Sequence, residues 1–258
     1  MTRAALAVAP RAPRSSRRSA LTRGAQGERR GSSVADKELM GRFRTKYTRG
    51  PAARWLTPRD FLNGVRNGLH NAGLAAGPQP RHCRVQGGPA LGLGHLSRCE
   101  YADVEIPTVL TAVRLREALA PHLPPGVAIV WARRLPPRAP ALTEAIQLLR
   151  CRVLNTQWDA GRLAAFRAAE RWPLVRVKKG QERTIDLKEF IARAAVEGHG
   201  FEYDLRARPE GAPKPHEIAA SIFGLPLTEA MLLPAERIGA LVFHHGGSGA
   251  PAVPLERL

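Results

Sequence analysis

The stretch Lys46–Ile106, KYTRGPAARWLTPRDFLNGVRNGLHNAGLAAGPQPRHCRVQGGPALGLGHLSRCEYADVEI, decides how the rest of the chain is read. A short strand runs into Gly50-Pro51. Thr57-Pro58-Arg59-Asp60 then opens a helix whose apolar Phe61, Val65, Leu69 and Ala72 recur at i, i+4, i+8 and i+11, and Gly73 closes it. A loop rich in Gly, Pro and basic residues follows from Gly77 to Gly94, and Tyr101–Ile106 alternates with the period of two of a strand. A loop of that length between regular elements is unusual in a compact domain, and such loops are where function concentrates.

Working outward, the first cycle reads strand Arg42–Tyr47, helix Pro58–Ala72, strand Cys83–Gln86, strand Glu100–Ile106, helix Thr111–His122 and strand Val127–Arg133. Thr111 is a suitable N-cap, with Leu115, Ala118 and Leu119 on the buried stripe. This β-α-β-β-α-β order is that of a ferredoxin-like fold. Pro136, Pro137 and Pro140 punctuate a linker, and a second cycle follows. It comprises strand Leu148–Leu154, helix Ala160–Glu170, strands Leu174–Lys178 and Arg183–Leu187 about a Lys179-Gly180 turn, helix Lys188–Val196, strand Phe201–Ala207, helix Pro215–Phe223 and strand Ile238–Phe243. The expected fold is α+β, two ferredoxin-like halves in tandem over residues 41–140 and 141–243. The repetition lies in element order and not in sequence.

The ends differ in kind. Residues 1–34 carry eight arginines against one acid, Glu28, without apolar periodicity, so residues 1–40 read as a disordered basic arm. A transit-peptide composition is the lesser reading of that arm, and it lacks the apolar core of a secretory signal. Residues 244–258, with His244-His245, read as a flexible tail.

The bulk numbers narrow the partners. The 258 residues are enough for a substantial core, and 44% hydrophobic residues mark a globular chain. A net charge of +18 favours polyanions, nucleic acid above all, and arginine suits bidentate phosphate contacts. A compositional bias toward Arg, Ala, Pro and Gly would explain the arginines but not the deficit of acids. With aromatics at 5%, base-stacking platforms are few. Three cysteines, Cys83, Cys99 and Cys151, make no disulfide framework and fit a reducing, cytoplasmic compartment. No run of 18 apolar residues is present to span a membrane.

Five segments together resemble the bacterial radical-SAM-associated domain family of unknown function: Gly50-Pro51, Trp55-Leu56-Thr57-Pro58-Arg59-Asp60, Gln79-Pro80-Arg81-His82, Gly88-Pro89-Ala90-Leu91-Gly92-Leu93-Gly94 and Glu100-Tyr101-Ala102-Asp103-Val104-Glu105. Thr184-Ile185-Asp186-Leu187 and Pro213-Lys214-Pro215-His216-Glu217-Ile218 extend the resemblance over roughly residues 42–243. Two histidines of the family pattern are replaced, by Pro58 and Arg81, and His82 stands as a displaced substitute. The resemblance implies a partner that is a radical SAM enzyme. The chain is not one itself, since such an enzyme holds its iron–sulfur cluster on three closely spaced thiolates.

Candidate RNA-binding residues are Arg44 and Lys46 on the first strand, Arg54, Arg59 and Arg66 on and before the first helix, Arg81, Arg84 and Arg98 around the loop, and Arg176 and Lys178 on the later hairpin. Arg59 and Arg66, two turns apart, share a helix face that serves equally well as a solvated one. Gly88, Gly92 and Gly94 precede a strand and not a helix, so close packing explains them better than a dinucleotide cradle; a backbone-amide nest for RNA phosphate is the functional remainder. His82, Cys83, His95 and Cys99 include two zinc-ligand types but lack a CxxC knuckle, and buried cysteines account for the thiols. Asp60 reads as a capping acid, and Asp103 with Glu105 as a solvent-facing strand pair that could take Mg2+. No catalytic constellation or cofactor motif stands out. The leading expectation is a non-catalytic accessory protein that binds structured RNA, tRNA or rRNA. The alternatives are an RNA-processing endoribonuclease of the same architecture and a protein-binding adaptor without nucleic acid.

Overall fold

The computed structural model describes residues 41–75, 79–106, 110–178, 180–207, 212–243 and 252–257, so the basic arm and His244-His245 lie outside the described residues. The first unit comprises β1 (Gly41–Arg49), α1 (Pro58–Asn71), β2 (Arg84–Gly87), β3 (Leu96–Ile106), α2 (Ala112–Leu119) and β4 (Val127–Arg134). A short helix α3 (Leu142–Ala145) leads into the second: β5 (Leu148–Leu154), α4 (Ala160–Ala168), the hairpin β6 (Pro173–Lys178) and β7 (Gln181–Asp186), α5 (Leu187–Phe190), β8 (Ile191–Glu197), β9 (Gly200–Arg206), α6 (Pro215–Phe223), α7 (Leu227–Ala230) and β10 (Ala235–Phe243). A last strand, β11 (Ala252–Pro254), pairs with β10.

This is a mixed α+β fold on one large sheet of order β4-β1-β3-β10-β5-β9-β8, with β2 alongside β3. Within the first unit the strands lie β4-β1-β3-β2, all antiparallel, and within the second β10-β5-β9-β8, again antiparallel. The units join through a short parallel contact, Glu236 with Leu96 and Arg237 with Ser97.

Local sequence explains the first unit. Thr57 and Asp60 form the capping box that starts α1: Asp60 receives 2.6 and 3.3 Å hydrogen bonds from the Thr57 hydroxyl and amide, and its own N–H donates to the Thr57 oxygen at 3.1 Å. Asp60 is therefore a capping acid. Phe61, Val65 and Leu69 are buried against Phe43, Tyr47 and Val104, and Tyr47 meets Phe61 edge-on at 5.4 Å. Gly64 and Gly68 let the helix sit close to the end of α2 and the turn after it, because a Cβ on Gly64 would lie 2.4 Å from Pro124 and one on Gly68 2.8 Å from Leu119. Thr111 caps α2 through the Arg114 amide at 3.2 Å. A second core fills the second unit and takes in Cys99 and Tyr101 of β3, with Trp158, Phe201 and Phe223 in mutual contact.

Two expectations are corrected. The helix read over Lys188–Val196 ends at Phe190, and Ile191–Glu197 is strand β8 on β9. The alanines there favour a helix locally, but pairing against β9, which buries Ile191 and Ala194, overrides that propensity. Nor is the whole C-terminus a flexible tail: β11 pairs with β10, Leu255 is 1% exposed, and Glu256 pairs with Lys46. No helix among the described residues is long and apolar enough to cross a membrane.

Candidate nucleic-acid interface

The pleat of β1 sends Phe43 and Tyr47 into the core and Arg42, Arg44 and Lys46 to the opposite face. That face does not open to solvent in the first unit. Arg44 grips Asp103 on β3 with two bonds, 2.8 and 2.9 Å, and donates to the Pro140 carbonyl at 2.7 Å. Arg42 donates to Asp103 at 2.9 Å and to the Ala139 carbonyl at 2.9 Å, so the proline-punctuated linker lies over both arginines. Asp103 is accordingly buried, not the solvent-facing acid expected, and Arg44 is a structural cation. Lys46 is likewise engaged, by Glu256.

Beside this cluster the chain assembles a cationic hollow. Arg66 leaves α1 and donates to Asn63 at 2.9 Å and to the Val85 carbonyl at 3.2 Å. The Pro80–His82 turn presents Arg81, buried Cys83 anchors its end in the core, and β2 presents Arg84. Arg42, Arg66, Arg81 and Arg84 line one cavity of about 270 Å³ with Asp103 and Glu105. Arg84 meets Glu105 at 3.4 Å, and Arg81 is exposed without an ion-pair partner among the described residues. Four guanidiniums against two carboxylates leave an anion-attracting field, and the fork geometry suits phosphate oxygens.

The remaining expected contacts are dispersed. Arg54 lies over the Trp55 ring, 5.0 Å from its centroid, and Arg59 is exposed at the start of α1. Trp55 is 65% exposed, so this Arg–Trp pair lies at the surface. Arg98 sits near the start of β3, paired with Glu236 at 2.8 Å. Arg176 on the hairpin is tied to Glu217 at 3.1 Å, and the Lys178 side chain lies outside the described residues. His82 is an exposed turn residue. Gly88 and Gly94 spend their amides inside the chain, on Tyr101 and Arg54 carbonyls at 3.0 and 2.8 Å, which removes two donors from the expected nest. Gly92 lies against His95, where a Cβ would stand 2.9 Å from the ring.

The thiols and histidines do not converge. Cys83 belongs to the first core and Cys99 to the second, where burial pushes the Cys99 thiol up to about 12. Among the described residues no three metal-binding side chains come together.

Two clusters escaped the sequence reading. On the second unit's open face Arg150 and Asp204 pair at 2.7 Å, and Arg152 pairs with Glu202, across the β5–β9 register. The signal was present: arginines two apart on one strand and acids two apart on another match a shared face. At the seam of the units, Glu100 meets Arg237 at 3.0 Å, near buried Arg49. Nothing local marks that cluster, because its members come from three strands far apart in sequence.

Residues 42–214 match the family described as an uncharacterized protein conserved in bacteria, DUF2344, and since the match covers more than half of the chain, the chain belongs to that family. No curated protein matches it.

Proposed function

We propose that this family member is a non-catalytic accessory protein that binds structured RNA, tRNA or rRNA, through the hollow formed by α1, the Pro80–His82 turn and β2. The observation that carries this reading is the gathering of Arg42, Arg66, Arg81 and Arg84 around one cavity. Three of these four, Arg66, Arg81 and Arg84, are among the basic residues that the sequence groups around the loop, and convergence is what separates a phosphate site from a solvated surface. The Arg54–Trp55 pair on the same unit adds a stacking surface for an unpaired base. Excess charge of +18 supplies the long-range attraction.

The finer fold assignment, two ferredoxin-like halves in tandem, is supported by the fourth-first-third-second strand order of each unit, with the β6–β7 hairpin as an insertion. A radical SAM enzyme as partner rests on the resemblance of the loop and strand segments to the radical-SAM-associated family, and a cytoplasmic setting on three cysteines that make no disulfide framework. The test is fluorescence anisotropy with labelled tRNA and rRNA fragments at low and moderate salt. The proposal expects saturable binding whose logarithm falls linearly with log salt, and binding no stronger than that of an unrelated basic protein overturns it.

A further inference from the structure

The first unit's sheet has an outward face, opposite α1 and α2, on which Arg42 and Arg44 hold Asp103 and the linker carbonyls, and Lys46 is paired with Glu256. The edge strand β4 carries that face further. Val127 and Ile129 point into the first core, so strict alternation would send Trp131 after them. The register breaks there: Tyr47 faces Ile129 and Lys46 faces Trp131, so β4 gains one residue, Val130, against β1. A bulge of this kind re-aims the side chains beyond it. Trp131 thereby stands beside Lys46 and Arg133 beside Arg44 on the outward face, while Ala132 takes the core side.

Neither core uses the Trp131 ring. Trp158 and Trp172 pack on the second core, and their indole N–H groups donate to the His199 carbonyl and the Ser221 hydroxyl, both at 3.0 Å. Trp131 packs against neither core, is partly exposed, and its N–H has no acceptor among the described residues. Arg133 lies over the ring, 5.3 Å from its centroid, and forms no ion pair among the described residues, since the nearby Asp103 carboxylate is held by Arg42 and Arg44. Arg138 is exposed in the linker, likewise without an ion pair among the described residues. An aromatic ring with a surplus guanidinium at its side, reachable from solvent, suits an unpaired nucleotide: the ring and the guanidinium plane stack on the base, and the positive charge meets its phosphate. From Trp131 to Glu105 in the wall of the hollow is two strands across and four residues along, roughly 16 Å, which a few extended nucleotides span.

We propose that Trp131 and Arg133 form a stacking site for an unpaired base of an RNA strand whose backbone phosphate lies in the hollow. The inference rests on the reading of the hollow as an RNA site and narrows the ligand to a single-stranded segment, a loop or an end of a structured RNA. A base inside a duplex keeps both faces stacked on its neighbours and offers none to the ring.

The experiment is fluorescence anisotropy of the full chain with a labelled single-stranded RNA octamer, the same octamer annealed to its complement, and a set of octamers with one base at a time removed. Trp131→Leu keeps the apolar bulk without the ring and is expected to weaken octamer binding about 10-fold and to leave duplex binding unchanged. It should lose nothing further at the abasic position that costs the wild-type chain the same factor. Trp131→Phe, which keeps a ring, is expected to recover most of the loss. It also provides the test should Trp131→Leu fail to fold: the octamer should quench the tryptophan emission of the wild-type chain, and Trp131→Phe should remove part of that quenching. Octamer binding that Trp131→Leu leaves unchanged, an equal loss on octamer and duplex, or quenching identical in the wild-type and Trp131→Phe chains overturns this inference and leaves the hollow reading in place. Binding of neither RNA above the level of an unrelated basic protein removes the hollow reading, and this inference with it.

Discussion

The connection that follows the first helix of each unit carries cations in both, yet the two are built differently. In the first unit it folds back through the Pro80–His82 turn onto the edge of β3, where Cys83 and Val85 are buried and Arg81 and Arg84 face Arg66 across a hollow. In the second unit it becomes a two-stranded ribbon, β6–β7, outside the main sheet. A ribbon splits its residues between two faces, so Arg176 and Arg183 are opposite each other while Val175 and Val177, 57% and 69% exposed, take the other side. Of the two connections, the one whose cations line a cavity is the one that pairs into the main sheet.

The largest test of this contrast concerns the cluster that holds the first unit's strands under the hollow. Asp103→Ala strands Arg42 and Arg44 in a buried setting and is expected to cost about 3–5 kcal/mol, read as a fall in the urea midpoint. A loss below about 1 kcal/mol would mean that Arg44 is not structural and would return it to the RNA-facing set.

Next comes the hollow itself. Replacing Arg66, Arg81 and Arg84 together by Ala is expected to weaken RNA binding by about 10–100-fold and to flatten the salt dependence by about two to three in slope. Unchanged affinity would show that convergence has no bearing on binding.

A third test uses the seam between the units. His95 is held at about 4, below the ordinary histidine value, so the unfolded chain takes up its proton first as pH falls. Stability is whole above pH of about 6.5 and declines toward pH 4, by about 2 kcal/mol after solvent screening at this half-buried position. His95→Asn should remove that decline from a pH series of urea melts, leaving the carboxylate titrations in place. The smallest effect is expected from the ribbon: Arg176→Ala with Arg183→Ala should lower RNA affinity by no more than about threefold and the salt slope by no more than about one. A larger loss would place the ribbon beside the hollow as a main contact.

How much was legible varies by residue. Helix starts were plain, because Thr57, Asp60 and Thr111 act on amides within three residues of themselves. The basic hollow was half legible: Arg66, Arg81 and Arg84 were picked out for their charge, but their common cavity depends on the angle at which the turn meets β2. Arg44 was misread because nothing near it in sequence announces the linker that covers it. The seam was not legible at all, since Arg49, Glu100 and Arg237 meet only after β3 and β10 pair.

Periodicity, capping residues and turn glycines are local chemistry, and by themselves they determined the element order of the first unit and the mixed α+β class, as composition determined the surplus of positive charge. Only the tertiary structure decided which cations are spent on buried acids and which surround a cavity. That sorting follows from the dielectric and hydrogen-bonding surroundings of each guanidinium, which are set by segments distant in the chain.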